Sequence, residues 1–198
     1  EDYYVANKLM KGFIGSANID TNSRLCMSSS VAGHKRAFGS DTVPGSYQDL
    51  EQCELLILTG SNMAWCHPVL YQRIVQAKKN NPEMKVVVID PRRTATCDVA
   101  DLHLALKPGS DAILLNGLFN WLHELGCDDA MFVNEHTEGL EDALRTAQWF
   151  APSAGVVAQY CELSVDAVVK FYQWFSETEK TVTVYSQGIN QSSSGTDK

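Results

Sequence analysis

Four short runs of small and polar residues follow apolar runs, and together they hold most of the side chains able to do chemistry. They are Gly60-Ser61-Asn62, Asp90-Pro91-Arg92, Lys107-Pro108-Gly109-Ser110-Asp111 and Gln187-Gly188-Ile189-Asn190-Gln191. Glycine and serine let backbone N–H groups come close to a phosphate. Asp90 can accept from a ribose or a purine edge, and Arg92 can pair with phosphate oxygens. That set of functions suits a nucleotide-like ligand. Neither GxGxxG nor GxxxxGK[ST] occurs, so the dinucleotide fingerprint and the P-loop do not apply. Polar turns follow strands in any protein; it is the four together that point to a ligand site.

The six cysteines stand at 26, 53, 66, 97, 127 and 161, with no CxxC or CxxxC among them. This spacing excludes a zinc ribbon, a thioredoxin motif and a local iron–sulfur run. Thiols scattered so evenly through a domain of this size read as reduced, hence cytoplasmic. Cys66 and His67 are adjacent, and neighbours at a helix start diverge, so they read as no metal pair. His34, His103, His123 and His136 have no partner motif and read as surface or satisfied-core residues. Asp98, Asp101, Glu138, Glu141 and Asp142 read as solvated faces and helix first-turn charge. Trp65, Trp121, Trp149 and Trp174 are dispersed and read as core or half-buried.

The elements that must position the polar runs follow from the apolar pattern. The chain has 198 residues, 44% hydrophobic and 20% charged, the composition of an ordinary globular protein. A net charge of −8 argues against a nucleic-acid partner. No apolar run approaches ~20 residues, so no membrane span is expected. Residues 55–58, 85–89, 102–106 and 181–185 read as strands. Helices are expected over 3–14, with Gly15 as stop, and from Pro68, with Leu70, Ile74 and Ala77 inward. A third, capped by Ser110, runs to Gly126 with a Leu115, Leu118, Phe119, Leu122 stripe. Residues 128–150 read as helical with a break near Gly139. Ser164 caps a helix bearing Val165, Val168, Val169, Tyr172 and Phe175. Strands alternating with helices predict an α/β fold, a doubly wound and mostly parallel sheet with crossover helices. Ligands of such sheets sit beyond the carboxyl ends of the strands.

Residues 15–46 are rich in Ser, Asn, Gly and Asp and read as irregular, a length that tends to carry function. The expected division is 1–46, an irregular segment with an N-terminal helix, and 47–198, an α/β domain. The start without Met or signal region, and the stop one turn past a strand, read as a piece of a longer chain.

In order along the chain, Asn22-Ser23-Arg24-Leu25-Cys26-Met27-Ser28-Ser29, Ala32-Gly33-His34, Gly60-Ser61-Asn62, His67-Pro68, Ile89-Asp90-Pro91-Arg92, Pro108-Gly109-Ser110-Asp111 and the 186–198 tail form a recognisable series. It resembles the dimethyl sulfoxide reductase superfamily of molybdopterin oxidoreductases, and within it the bacterial assimilatory nitrate reductase catalytic subunits. The resemblance covers nearly the whole chain. It implies a Rossmann-like domain that binds molybdopterin guanine dinucleotide, the parent carrying molybdenum on two of them. Cys26 would be the catalytic thiolate ligand to molybdenum, a soft donor suited to a redox metal; the other five cysteines match no ligand position. Cofactor contacts would come from Arg24, Cys26, Gly60, Ser61, Asn62, His67, Ile89, Asp90, Pro91, Arg92, Lys107, Gly109, Ser110, Asp111, Gln187, Gly188, Asn190 and Gln191.

The resemblance further implies nitrate as substrate, reduced to nitrite by oxygen-atom transfer, and an electron-donor protein or reductase subunit as partner. A [4Fe-4S] cluster would lie in a missing upstream domain, and the fragment alone would be inactive. Formate dehydrogenases of the same superfamily share Asp90-Pro91-Arg92, but where they carry selenocysteine followed by His this chain has Cys26-Met27, which favours nitrate reductase. The polar turns by themselves also allow a non-catalytic nucleotide-binding module or a purely structural α/β domain. Residues 1–44 offer little apolar area to offset ~1–2 kcal/mol per residue of backbone ordering. A folded core over 50–185 is therefore expected, with mobile flanks and an exposed Cys26.

Overall fold

The computed structural model describes residues 1–193 and Gly195. Its sheet has four strands, all parallel: β1 (Leu55–Thr59), β2 (Lys85–Ile89), β3 (Leu102–Leu104) and β4 (Thr181–Tyr185), in the order β3-β2-β1-β4. Leu55 pairs with Lys85 on one side and Thr181 on the other, so β1, β2 and β4 end at the same level. Every residue of β1 is buried, and that is why it is written as an uninterrupted apolar run rather than an alternating one.

Successive side chains go to opposite faces. Leu55, Ile57, Val87, Ile89 and Leu104 pack on one face against Leu114, Leu118, Val157, Val168, Phe171 and Tyr172. These come from the helices Asp111–Glu124, Ala154–Cys161 and Val165–Glu177. Leu56, Leu58, Val86 and Val88 meet Leu50, Met63, Ile74, Ala77 and Met84 on the other, Ile74 and Ala77 from the helix Pro68–Asn80, which has proline in its first turn. The fold is the expected doubly wound α/β layer.

Several local expectations change. The third strand stops at Leu104, because the chain turns toward the helical layer, where Lys107 N donates to Cys161 O at 2.8 Å. Ser110 makes no side-chain cap; its hydroxyl donates backward to Lys107 O at 2.7 Å. The helix that follows buries Leu114, Gly117, Leu118 and Asn120, while Leu115, Phe119 and Leu122 are only half-buried beside neighbouring helices. Residues 128–150 divide into Ala130–His136 and Leu140–Phe150 at Gly139, whose φ is +81°. Ser164 does cap its helix, accepting from Ala167 N at 3.2 Å, but Val165 faces solvent and Phe171 takes its place inside. The helix Ala154–Cys161 was not anticipated, although Ser153 caps it through Val156 N.

The largest change lies before the sheet. Residues expected to be irregular form a turn, Ser23–Cys26, and an eleven-residue helix, Ser28–Phe38, that packs on the short helix after β4. Polar contacts described below hold it where apolar area is scarce. Asp2–Asn7 is helical as expected, continues as a π-type helix over Lys8–Ile14 and ends at Gly15, but buries no residue. The tail beyond Ser193, Gly195 apart, lies outside the described residues.

Gly117 is where the core is tightest. A Cβ there would meet Val157 Cγ2 at 2.6 Å and the Tyr172 hydroxyl closer still, and that hydroxyl is fixed by donating to Leu114 O at 2.7 Å. Gly117→Ala should destabilise the fold by roughly 1–3 kcal/mol, measured as a lower urea midpoint. Gly155→Ala, whose nearest neighbour would be Ser153 Oγ at 3.8 Å, should be neutral or stabilising because alanine is the better helix former.

Burial pushes the Cys53 thiol up from 9.0 to about 11. The folded state thus keeps a proton that the unfolded chain releases, and this contribution is complete below about pH 9 and lost as pH rises to about 11. The destabilisation caused by Cys53→Ala should therefore shrink across that window, as followed by urea unfolding at fixed pH values.

Candidate functional site

Because the strands are parallel, the turns after all four emerge on one edge of the sheet. Gly60, Ser61 and Asn62 follow β1; Asp90, Pro91 and Arg92 follow β2; the 105–111 turn follows β3; Gln187 to Gln191 follow β4. The structure thus brings the four polar runs to the same edge.

The centre of that edge is closed by two glycines. Gly60 has φ +55°, and a Cβ on it would meet the Gly188 backbone at 2.9 Å. Gly188 N donates to Gly60 O at 3.0 Å, and Gly60 N donates to Ile89 O at 2.9 Å. Both amides are therefore used within the chain, and the absent side chains serve loop-to-loop contact rather than approach to a phosphate. Buried Ser61 shares a hydrogen bond of 2.9 Å with Ser186 across the same junction.

Around this junction the side chains are fixed by local bonds. Asn62 Oδ1 accepts from the Thr96 hydroxyl at 3.0 Å, and Thr96 Oγ1 accepts from Ala64 N at 3.1 Å. Asp90 is buried at 7% exposure; its Oδ1 accepts from Arg92 N at 2.8 Å, a tight turn that throws the Arg92 side chain outward into solvent. His103, on β3, lies with Nε2 2.9 Å from Asp90 O and so braces that turn. Ile89 closes β2, and Pro91 and His67 are exposed, His67 at the entry to the Pro68 helix. Lys107 is paired with Glu162 at 2.8 Å, which holds its pKa above the usual lysine range. Gly109 turns the chain at φ +87° ahead of buried Ser110 and half-buried Asp111.

Cys26 reaches this edge from the other end of the chain. Its thiol is half-buried, not exposed, because Gln187 Nε2 donates to Sγ at 3.6 Å and Gln191 Nε2 at 3.4 Å. The following helix is tied to the same segment. The Ser29 hydroxyl donates to Asn190 O, and His34 Nδ1 lies 3.2 Å from the Tyr185 hydroxyl and 3.0 Å from Ser30 O. Arg24 sits in the turn just before Cys26; its side chain is outside the described residues.

Asn190 carries a further signal. Its Oδ1 is buried with no hydrogen-bond partner among the described residues. Among the described residues no three His, Cys, Asp or Glu side chains cluster as a metal site. Sequence reasoning found the turns and Cys26 but not Thr96, His103, Ser186, Ser29 or the Tyr185–His34 contact. The readable signal it passed over is the Gln187-x-x-x-Gln191 spacing, which puts both carboxamides on one side of a helical turn.

The comparisons with known proteins bear on the family and the fold. The chain is 56% identical over 199 residues to a nitrate reductase of Klebsiella oxytoca, covering all of this chain and 22% of that one. It is 49% identical to a nitrate reductase of Shewanella frigidimarina, covering all of this chain and 21% of the relative. The chain thus spans about a fifth of the length of these relatives. In fold it matches acetylene hydratase from Pelobacter acetylenicus with a TM-score of 0.77 and 23% identity, over 98% of this chain and 26% of that one. The description of the molybdopterin oxidoreductase family fits residues 1–198 from end to end, and the chain belongs to that family.

Proposed function

We propose that this chain forms part of the molybdenum-cofactor site of a nitrate reductase catalytic subunit that reduces nitrate to nitrite by oxygen-atom transfer. The observation that carries the reading is the placement of Cys26: a half-buried thiol held at the carboxyl edge of the sheet by the turn after β4. The residues fit the group. The thiol is a soft donor for molybdenum, and the buried Asn190 Oδ1, without a partner among the described residues, is an acceptor for a pterin N–H. Arg92 offers an exposed cation to the diphosphate of the guanine dinucleotide form. Whole-chain likeness to nitrate reductases supports nitrate as the substrate.

When bound, the cofactor supplies the two electrons and the oxygen-acceptor chemistry that turn nitrate into nitrite. The chain's own part is binding and orientation. Cys26 offers its sulfur from a backbone fixed through Ser29 and His34, and Asp90 keeps the Arg92 turn closed. Electrons would arrive from a donor protein or reductase subunit through a [4Fe-4S] cluster carried elsewhere in the longer protein. The six free thiols suit a reducing compartment, and we place the protein in the cytoplasm.

Cys26→Ala in the full-length enzyme should abolish nitrate reduction and leave the melting curve close to wild type; activity near wild type would show that the ligand is another group. Assaying the same enzyme with formate separates this reading from a formate dehydrogenase. Arg92→Ala should lower cofactor occupancy about tenfold or more, since a charge-assisted contact is worth roughly 1.5–3 kcal/mol. Unchanged molybdenum content by metal analysis would remove Arg92 from the site.

A further inference from the structure

The helical turn after β4 presents two carboxamides to one sulfur. Gln187 and Gln191 are four residues apart, which brings both side chains to one side of the turn Gln187–Asn190. Their Nε2 atoms lie 3.6 and 3.4 Å from Cys26 Sγ. A carboxamide –NH2 can only donate, and a sulfur accepts best when it carries negative charge, as a thiolate or a metal-bound thiolate. Both donors come from a segment at least 161 residues away in sequence, so the contact belongs to the fold and not to the Cys26 turn itself. The turn is anchored on the same side, since Gly188 N donates to Gly60 O and Asn190 O accepts from Ser29.

We propose that Gln187 and Gln191 are positioning residues for the Cys26 sulfur: paired N–H donors that aim it at the carboxyl edge and hold it in one orientation for a metal. This rests on the reading of Cys26 as a molybdenum ligand. Outer partners of a metal ligand set its orientation and basicity, and their loss typically costs about 10–100-fold in metal affinity or activity. Neither glutamine need touch the metal to do this.

The test uses the full-length holoenzyme with Gln187→Met, Gln191→Met, Gln191→Glu and, as reference, Cys26→Ser. Methionine keeps the length and removes the donor; glutamate keeps the shape and puts a charged acceptor against the sulfur. Three readouts are taken: molybdenum content, the paramagnetic resonance signature of the half-reduced metal, and the melting curve. The single Met variants should shift the signature in the direction seen for Cys26→Ser, or lose molybdenum severalfold, with an unchanged melting curve. Gln191→Glu should have the larger effect. A wild-type signature and metal content in all three glutamine variants would overturn the proposal, as would losses that only track a lowered melting temperature, because the glutamines would then be structural. If Cys26→Ser itself keeps the wild-type signature, the ligand reading fails first, and the two failures are told apart.

Discussion

β1 has no free side. It is hydrogen-bonded to β2 and β4 along its edges, both of its faces are covered, and all five of its residues are buried. The turns of β1, β2 and β4 are placed by that strand, because its register with both neighbours sets where they leave the sheet. The contact of Gly60 with Gly188 is the direct result: two turns whose Ser61 and Ser186 are 125 residues apart in sequence leave at one height and touch through backbone. A side chain at either position would separate them. What looks in the sequence like room for a ligand is, at these two glycines, room for the other loop.

The segment bearing Cys26 is held by a different kind of force. The sheet and its helices are joined by two apolar cores, whereas the Ser28–Phe38 helix buries only Ser30 and meets the β4 end through hydroxyl and imidazole groups, and Cys26 before it meets two carboxamides. Such bonds contribute modestly to net stability, roughly 0.5–1.5 kcal/mol each, but they are directional. Apolar packing would hold the segment without fixing which way its sulfur points.

The strands and the doubly wound layer were legible because burial writes itself as composition: Leu55 to Leu58 and Val86 to Ile89 have no polar residue to confuse the reading. Parallel pairing then put the four turns on one edge without further information. The helix over Ser28–Phe38 was not legible, since its stabilising partners, Tyr185 and Asn190, lie far along the chain and its own residues make no apolar stripe. The same cause hid the half-burial of Cys26. Ser110 misled for a local reason, because a hydroxyl that caps a helix and one that closes the preceding turn have the same sequence signature. The family resemblance pointed to Cys26 where spacing alone made it one cysteine among six.

The distance along the chain between the sulfur and its partners also orders events in time. Gln187 is 161 positions after Cys26, and at ~5–20 residues per second synthesis of that interval takes roughly 10–30 s. Through it the thiol has neither carboxamide, and it gains them only with the segment after β4, whose pairing beside β1 is a non-local contact. Until that strand is in place the sulfur lacks the two donors that hold it in the folded chain.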